Sequence, residues 1–119
     1  MIKGLDHVNI TTPRLEKTRR FFVDVLGFEV APRPDFGIPG YWLSHKGREL
    51  VHLVEMDLGF GTAALDHFAF ALEDYEGMRA RLERLEIPYT EFCQPDGSRK
   101  QMAIKDPNGV TVELSWRAN

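Results

Sequence analysis

Three histidines and one glutamate occur in this chain at spacings that could assemble a metal site. His7 and His52 are separated by 45 residues, and His67 and Glu113 by 46. The four positions repeat as two pairs, with His7 and His67 at the beginnings of the two halves of the chain and His52 and Glu113 near their ends. Imidazole nitrogens and carboxylate oxygens are donors that divalent Zn, Ni, Co, Mn and Fe accept in proteins. The spacing predicts one divalent metal ion held by these four residues and leaves the metal's identity open.

Each of these residues also has an ordinary structural interpretation. A single histidine on a strand is more often a hydrogen-bonded structural residue than a ligand, and a lone Glu113 would be a solvated charge. The metal hypothesis depends on the four residues together, because they lie at matching positions of a repeat. The fourth histidine, His45 in the stretch SHKG, is predicted to be a surface residue.

The repeat is visible as a displacement of 60 residues in a chain of 119. Leu5-Asp6-His7 returns as Leu65-Asp66-His67. Two segments with helical spacing obey the same displacement, the first of them at 14–26. A burial pattern repeated in this way indicates a duplicated supersecondary unit. The helical positions are Leu15, Thr18, Phe22 and Val25 in the first half and Tyr75, Met78, Leu82 and Leu85 in the second.

Strand patterns fill the remainder of each half. The stretches DHVNIT and DHFAFAL alternate, which places His7 and His67 on the faces opposite to the apolar residues. Three more strand stretches follow each helix: FEVAP, GYWLSHKG and ELVHLVEM, then YTEFC, RKQMAIKD and VTVELSW. In the closing strands, His52 and Glu113 are counterparts. The prediction is an α+β fold in which strand, helix and three strands are written twice, as two βαβββ modules.

Capping residues predict where the two helices begin and end. Thr12 is the expected N-cap of the first helix, with Pro13 at the first helical position. Asp74 is the expected cap of the second helix. Gly27 is predicted to end the first helix, and Pro88 the second.

Turn signals complete the predicted organisation. DPNG at 106–109 indicates a tight turn between the last two strands. The segment 57–64, which contains two glycines, is the expected link between modules at 1–56 and 64–119 of a single domain, 1–119.

Composition narrows the classes of partner. The chain is 43% hydrophobic and has a net charge of −3 with scattered basic residues, so nucleic acid is not expected and a small molecule is. The first residues lack the apolar stretch of a signal peptide or membrane span, which predicts a cytoplasmic protein without membrane contact. The single cysteine, Cys93, cannot form an internal disulfide and is expected to be buried or incidental.

The stretches GLDHVNI, FFVDVLGFEV, LVHLVE, LDHFAFAL and DPNGVTVEL resemble the vicinal oxygen chelate superfamily, which includes glyoxalase I, fosfomycin resistance proteins, extradiol dioxygenases and bleomycin resistance proteins. They cover almost the whole chain. The resemblance implies paired βαβββ modules that form a curved mixed sheet around a central cavity with a metal. It also implies a homodimer, and ligands at the positions of His7, His52, His67 and Glu113.

Departures from individual members narrow the choice of chemistry. Glyoxalase I generally has a glutamate where this chain has His52, and fosfomycin resistance proteins carry a further basic segment beyond the position of Trp116. Extradiol dioxygenases use two histidines and one glutamate on Fe(II). His7, His67 and Glu113 could serve in that way, but His52 would crowd the site. Bleomycin-binding relatives lack the metal ligands that are present here.

Three functions are therefore carried forward. The first is a metal-dependent, glyoxalase-like enzyme with lyase or isomerase chemistry on a small oxygenated substrate, with Glu113 as the candidate base. The second is an extradiol-type Fe(II) dioxygenase, and the third a non-catalytic small-molecule binder. Asn9, by strand parity, and Gln101 and Arg99, by resemblance, are the expected substrate contacts. Trp42 is expected to line the pocket or fill the core, and the loop 31–40 could form a rim.

Overall fold

The computed structural model describes residues 1, 5, 7–57, 65 and 67–118. The chain divides into two compact units, Met1–Phe60 and Gly61–Asn119, which we name the first and second modules. The predicted link at 57–64 lies outside the described residues except for Asp57, as do Asp6 and Asp66 of the repeated motif.

The first module is a four-stranded sheet with one helical segment. Its elements are β1 (Val8–Thr12), α1 (Leu15–Arg20), a π-helical stretch (Phe21–Val25), β2 (Glu29–Ala31), β3 (Gly40–His45) and β4 (Arg48–Glu55). The strand order is β1-β4-β3-β2. The pair β1–β4 is parallel, and the other pairs are antiparallel.

The second module repeats this plan. Its elements are β5 (His67–Ala71), α2 (Tyr75–Arg84), β6 (Thr90–Cys93), β7 (Arg99–Lys105) and β8 (Thr111–Arg117). The strand order is β5-β8-β7-β6, with β5 parallel to β8. The predicted α+β class and the duplicated βαβββ order are confirmed.

Alternation along the opening strands sets which side chains enter each core. Ile10 and Phe68 are buried, whereas His7, Asn9 and His67 are exposed. The buried side chains pack between each sheet and its helix, because a strand directs successive residues to opposite faces. The polar face predicted for the histidines is therefore the face turned away from the helix.

The first helix differs from the prediction at both its start and its form. It begins at Leu15 because Thr12 still belongs to β1, and no side chain bonds at the N-cap position, Arg14. The Thr12 hydroxyl instead accepts the Arg14 N–H at 2.9 Å. From Phe21 the helix widens to π geometry, and the longer turn places the adjacent Phe21 and Phe22 both in the core. Gly27 follows with φ 79° and ends the segment as predicted.

The second helix is capped as predicted but ends differently. The Asp74 carboxylate accepts the Gly77 N–H at 2.9 Å. The helix stops at Arg84, ahead of Pro88, because Glu86 takes a left-handed conformation and the Ile87 N–H donates to the Leu82 carbonyl at 2.9 Å.

In the second module, the burial predicted for Leu85 is wrong, and one of the two alternatives for Cys93 is excluded. Leu85, placed on the buried helical face by spacing, lies in the closing turn and is 41% exposed. Cys93 is exposed in β6, so it is not the buried thiol of the first alternative. Among the described residues, none of the helices combines the length and apolar character needed to cross a bilayer.

The predicted turn at 106–109 is organised by a buried carboxylate. Asp106 is 5% exposed, and its Oδ1 accepts the N–H groups of Asn108 at 2.8 Å and Val110 at 2.9 Å. Gly109 supplies the positive φ, 85°, that closes the turn. The Asp106 carboxylate therefore fixes the start of β8, the strand that carries Glu113.

Asp106→Ala is expected to destabilise the protein by about 2–3 kcal/mol, because the buried Val110 N–H and the half-buried Asn108 N–H lose a charged acceptor. Urea unfolding followed by circular dichroism measures the change. Asp96→Ala is the matched control, since Asp96 makes the same kind of turn contact to the Ser98 N–H but is exposed. Equal losses in the two variants would contradict the assigned role of Asp106.

A carboxylate also ties α2 to the outer strand of the second module. Glu91 on β6 accepts hydrogen bonds from the Tyr75 hydroxyl and the Arg79 guanidinium, both at 2.5 Å. These donors favour the charged carboxylate and hold the pKa of Glu91 below its ordinary value.

Glu91→Gln is expected to destabilise the protein at pH 7, with a difference from wild type that shrinks in acid. A lowered folded-state pKa gives stability that is present above the unfolded-state pKa and is lost as pH falls through the folded-state value. Unfolding at pH 7 and pH 3.5 tests this, with the exposed Glu29→Gln as control. A destabilisation that does not change with pH would exclude an ionic origin.

Candidate metal and substrate site

The two histidines of the first module lie against each other. His7 directly precedes β1, and His52 is in the middle of β4. Their rings are stacked, with centroids 4.0 Å apart and planes inclined by 20°. Parallel pairing of β1 with β4 brings them together, because it aligns Val8 with Val51 and Asn9 with His52. The structure therefore brings together two of the four predicted ligands, and their role in binding a metal stays a prediction.

A third ring continues this stack. Trp42 on β3 is the register partner of His52, and its indole lies 4.7 Å from the imidazole at an angle of 12°. These three aromatic rings line a cavity of about 320 Å³ together with Gly47, Arg48 and Glu49. Trp42 is expected from the sequence either to line the pocket or to fill the core, and in the structure it lines the pocket. The indole fixes the plane of the His52 ring from the side opposite to His7.

The second module brings its two predicted ligands into direct contact. His67 begins β5, and its Nε2 lies 3.1 Å from Oε1 of Glu113 on β8. The other carboxylate oxygen, Oε2, accepts a hydrogen bond from Gln101 Nε2 at 3.2 Å. The Glu113 side chain is 15% exposed and that of His67 is 47% exposed. One carboxylate is therefore held between an imidazole and an amide at the sheet surface.

Strand register makes His52 and Glu113 true counterparts. His52 pairs with Asn9 across β1–β4, and Glu113 pairs with Ala69, which lies 60 residues after Asn9, across β5–β8. On the other side, His52 pairs with Trp42 and Glu113 with Ala103. The modules thus share one backbone position for a ligand but surround it differently.

The expected substrate contacts have distinct positions. Asn9 is exposed beside His52. Gln101 contacts the Glu113 carboxylate directly, which makes it a positioning group for that residue. Arg99 is two residues away on the same strand, opposite Arg117, and is half-buried. A role of these three residues in substrate binding stays a prediction.

The imidazole nitrogens and carboxylate oxygens of the four predicted ligands are atoms that divalent cations accept as ligands. Within either module, no three described His, Cys, Asp or Glu side chains are grouped so that they could hold a metal. Each module provides a pair. The His7–His52 stack must also open before both rings can ligate one ion at about 2.0–2.1 Å, because each nitrogen lone pair lies in its own ring plane.

The sequence did not reveal the environment of the pairs. The cavity beside His52 includes Arg48 and Glu49 from the start of β4, and Trp42 faces it because of the β3–β4 register. A cross-strand pairing pattern with Trp42 opposite His52 would have indicated the stack, but register across a hairpin depends on the turn and its bulge. The β3–β4 pair carries such an irregularity at Leu43–Ser44.

Comparison with known proteins gives consistent matches over the whole chain. The sequence model of the Glyoxalase/Bleomycin resistance protein/Dioxygenase superfamily matches residues 4–114. The chain is 28% identical over 120 residues to a manganese-dependent 2,3-dihydroxybiphenyl 1,2-dioxygenase from Geobacillus genomosp. 3, with 97% of this chain and 37% of that protein covered. The chain thus spans little more than a third of this relative's length.

Two further matches each cover at least 84% of both proteins compared. The metallothiol transferase FosB from Staphylococcus epidermidis is 24% identical over 121 residues, with 96% of this chain and 84% of that protein covered. The crystal structure of a glyoxalase family protein from Bacillus anthracis superposes with a TM-score of 0.83 at 24% identity, covering 99% of this chain and 98% of that one. The second match is a similarity of fold.

The stack yields a spectroscopic prediction. In a Trp116→Phe background, Trp42 is the sole tryptophan, and His52→Ala is expected to shift its emission to longer wavelength because water replaces the imidazole on one indole face. Steady-state fluorescence measures the shift. His45→Ala is the control, since that imidazole packs edge-on against Phe28. Equal spectra of the two variants would show that His52 and Trp42 are not stacked in solution.

Proposed function

The chain belongs to the Glyoxalase/Bleomycin resistance protein/Dioxygenase superfamily, and from this premise we propose that it is a divalent-metal enzyme acting on a small oxygenated substrate. The proposed ligands are His7 and His52 from the first module and His67 and Glu113 from the second, either within one chain or from two copies. We propose lyase or isomerase chemistry, in which a proton next to a carbonyl is moved.

The observation that carries this proposal is the match between chemistry and register. His52 and Glu113 occupy the same backbone position of two modules, and each is in contact with the histidine from the opening strand of its own module. A structural histidine needs a single hydrogen-bond partner. Structural stability alone does not require that a histidine contact a second potential metal ligand in both modules. A duplicated donor pair is the arrangement that a shared ion would require.

Glu113 is the residue that we propose to move the proton. Its two oxygens contact different groups, His67 and Gln101, so the carboxylate stays oriented when one contact is exchanged. A bound divalent ion would supply Lewis-acid stabilisation of the negative charge that develops on a substrate oxygen. With His52 at the counterpart position, the site has one carboxylate, which favours chemistry with a single base.

A second candidate function is oxygen-dependent ring cleavage of a catechol-like substrate. It is supported by the relative at 28% identity, a manganese-dependent dioxygenase. His7, His67 and Glu113 would then be the ligands, with His52 held back by Trp42. A non-catalytic binding protein is the third candidate. We further propose a homodimer in the cytoplasm, as the sequence predicts.

The first experiment is elemental analysis of untagged protein after reconstitution with each candidate metal, followed by competition with a chromogenic chelator. Glu113→Gln and His67→Ala are each expected to weaken metal binding by at least about tenfold, since even the loss of an outer-shell partner costs 10- to 100-fold in affinity. Glu49→Gln is the matched control, because Glu49 is an acid in the cavity beside His52 that is not among the proposed ligands.

The results separate the candidate functions. Bound nickel, zinc or cobalt would direct assays to proton transfer, whereas manganese or iron together with oxygen uptake would favour the dioxygenase. Absence of metal after every reconstitution would overturn both enzymatic proposals and leave the binding protein. Equal affinities of Glu113→Gln and Glu49→Gln would show that the metal binds elsewhere.

A further inference from the structure

The first module contains a second and larger cavity, of about 890 Å³. It is formed by the segment around the start of α1, the β2–β3 loop and the end of β4. The volume is within the range of about 300–1,000 Å³ that small-molecule sites occupy. The proposed metal site does not use any of its lining residues.

This cavity and the two proposed metal ligands of the first module, His7 and His52, lie on opposite faces of the first module's sheet. Tyr41 lines the large cavity, and its neighbour Trp42 lines the cavity beside His52. Adjacent residues of a strand point to opposite faces. The Tyr41 hydroxyl accordingly donates to Glu16 on α1, on the helix side of the sheet. A ligand in the large cavity would therefore be separated from His52 by the thickness of the sheet.

Positive charge predominates in the lining. Four basic side chains contribute to it, namely Arg14, Lys17, Arg20 and Arg33. The acidic lining residues are Glu16, Asp35 and Glu55, and two of them already have donors from the protein. Glu16 accepts hydrogen bonds from Tyr41 and Arg19, and these lower its pKa. Asp35 accepts the Gly37 N–H at 2.8 Å.

Arg33 is the most constrained of the four cations. Its guanidinium donates to the Ile38 carbonyl at 3.1 Å and lies 5.0 Å from the centre of the Phe36 ring. A Cβ at Gly40 would collide first with the backbone carbonyl of Leu53 and would also come within 2.8 Å of the Arg33 terminal nitrogen, so the glycine leaves room for the neighbouring strand and for the guanidinium. The Nε atom is buried, and within the described part of the chain it has no hydrogen-bond partner.

The Nε atom is too deeply buried for a ligand in the cavity to reach, but the Arg33 side chain lines that cavity. Among the described residues the guanidinium has one hydrogen-bond acceptor, the Ile38 carbonyl, which leaves terminal N–H donors for an oxyanion. Arginine binds phosphate and carboxylate groups through paired, charge-assisted hydrogen bonds, and neighbouring cations strengthen the attraction. We propose that this cavity is a binding site for a small molecule carrying a phosphate or carboxylate group, anchored by Arg33. The site is independent of the proposed metal centre.

The test uses metal-stripped, full-length protein titrated with inorganic phosphate and, separately, with succinate, at constant ionic strength set by sodium chloride. Isothermal titration calorimetry and amide chemical shifts report binding. We expect saturable binding of at least one probe, weakened at least about tenfold by Arg33→Gln and less by Arg33→Lys, which keeps the charge but loses the planar fork. The probe that binds more tightly identifies the anionic group.

Arg84→Gln is the matched control, because Arg84 is an exposed arginine on α2 of the second module. Circular dichroism establishes that each variant is folded, and Arg33→Lys serves if Arg33→Gln is not. If Arg33→Gln and Arg84→Gln weakened binding equally, the binding would arise from general surface charge, which would overturn the proposal. Lack of saturation by both probes would also overturn it. Metal content is unaffected by Arg33→Gln if the two sites are separate, so failure of one proposal leaves the other standing.

Discussion

Parallel pairing of the first and last strands of each module is the constraint on which the rest of the structure depends. In β1–β4 and β5–β8, the opening strand lies beside the closing strand, although about 40 residues separate them in sequence. Pairing that distant in sequence costs loop-closure entropy, which the buried face of the sheet must offset. Val51 and Leu53 in β4, and Val112 and Leu114 in β8, are fully or almost fully buried and provide that burial. The residue between each pair of apolar side chains is then obliged to face the other way, and those residues are His52 and Glu113.

His52 and Glu113 occupy the same backbone position in the two modules, but their side chains have different neighbours. Around His52 the neighbours are aromatic, and stacking over two faces leaves the imidazole little rotational freedom. Around Glu113 the neighbours are polar, and Ala103 occupies the place of Trp42. A carboxylate packed against the face of an indole would lose hydration without gaining a hydrogen bond from that face, whereas beside Gln101 it gains a donor. The asymmetry follows from the chemistry of the residue that each module presents.

Much of the fold could be predicted from the sequence because its signals are local and duplicated. Alternation in the strands and the spacing of Phe22 and Val25 are readable from side-chain type alone, and both are confirmed by burial. Three features could not be predicted, since each depends on tertiary packing or on backbone hydrogen bonds. They are the π-helical stretch, the left-handed conformation of Glu86 and the lack of a side-chain cap at the start of α1.

The candidate site was likewise predictable only in part. The equivalence of His52 and Glu113 followed from repeat spacing. The position of Trp42 needed the register of a hairpin, and that of Arg33 needed the path of a loop.

The strands at one border of each sheet are short. β2 has three residues and β6 has four, and both carry an exposed acid, Glu29 and Glu91. A sheet border offers unpaired backbone groups to any extended chain nearby, and brevity and charge are two ways in which natural proteins limit that hazard. The shortness and the acidic residues of these two edge strands therefore disfavour edge-to-edge association of copies of the chain. Lengthening either strand with uncharged β-branched residues would remove that protection and raise the hazard of edge-to-edge aggregation.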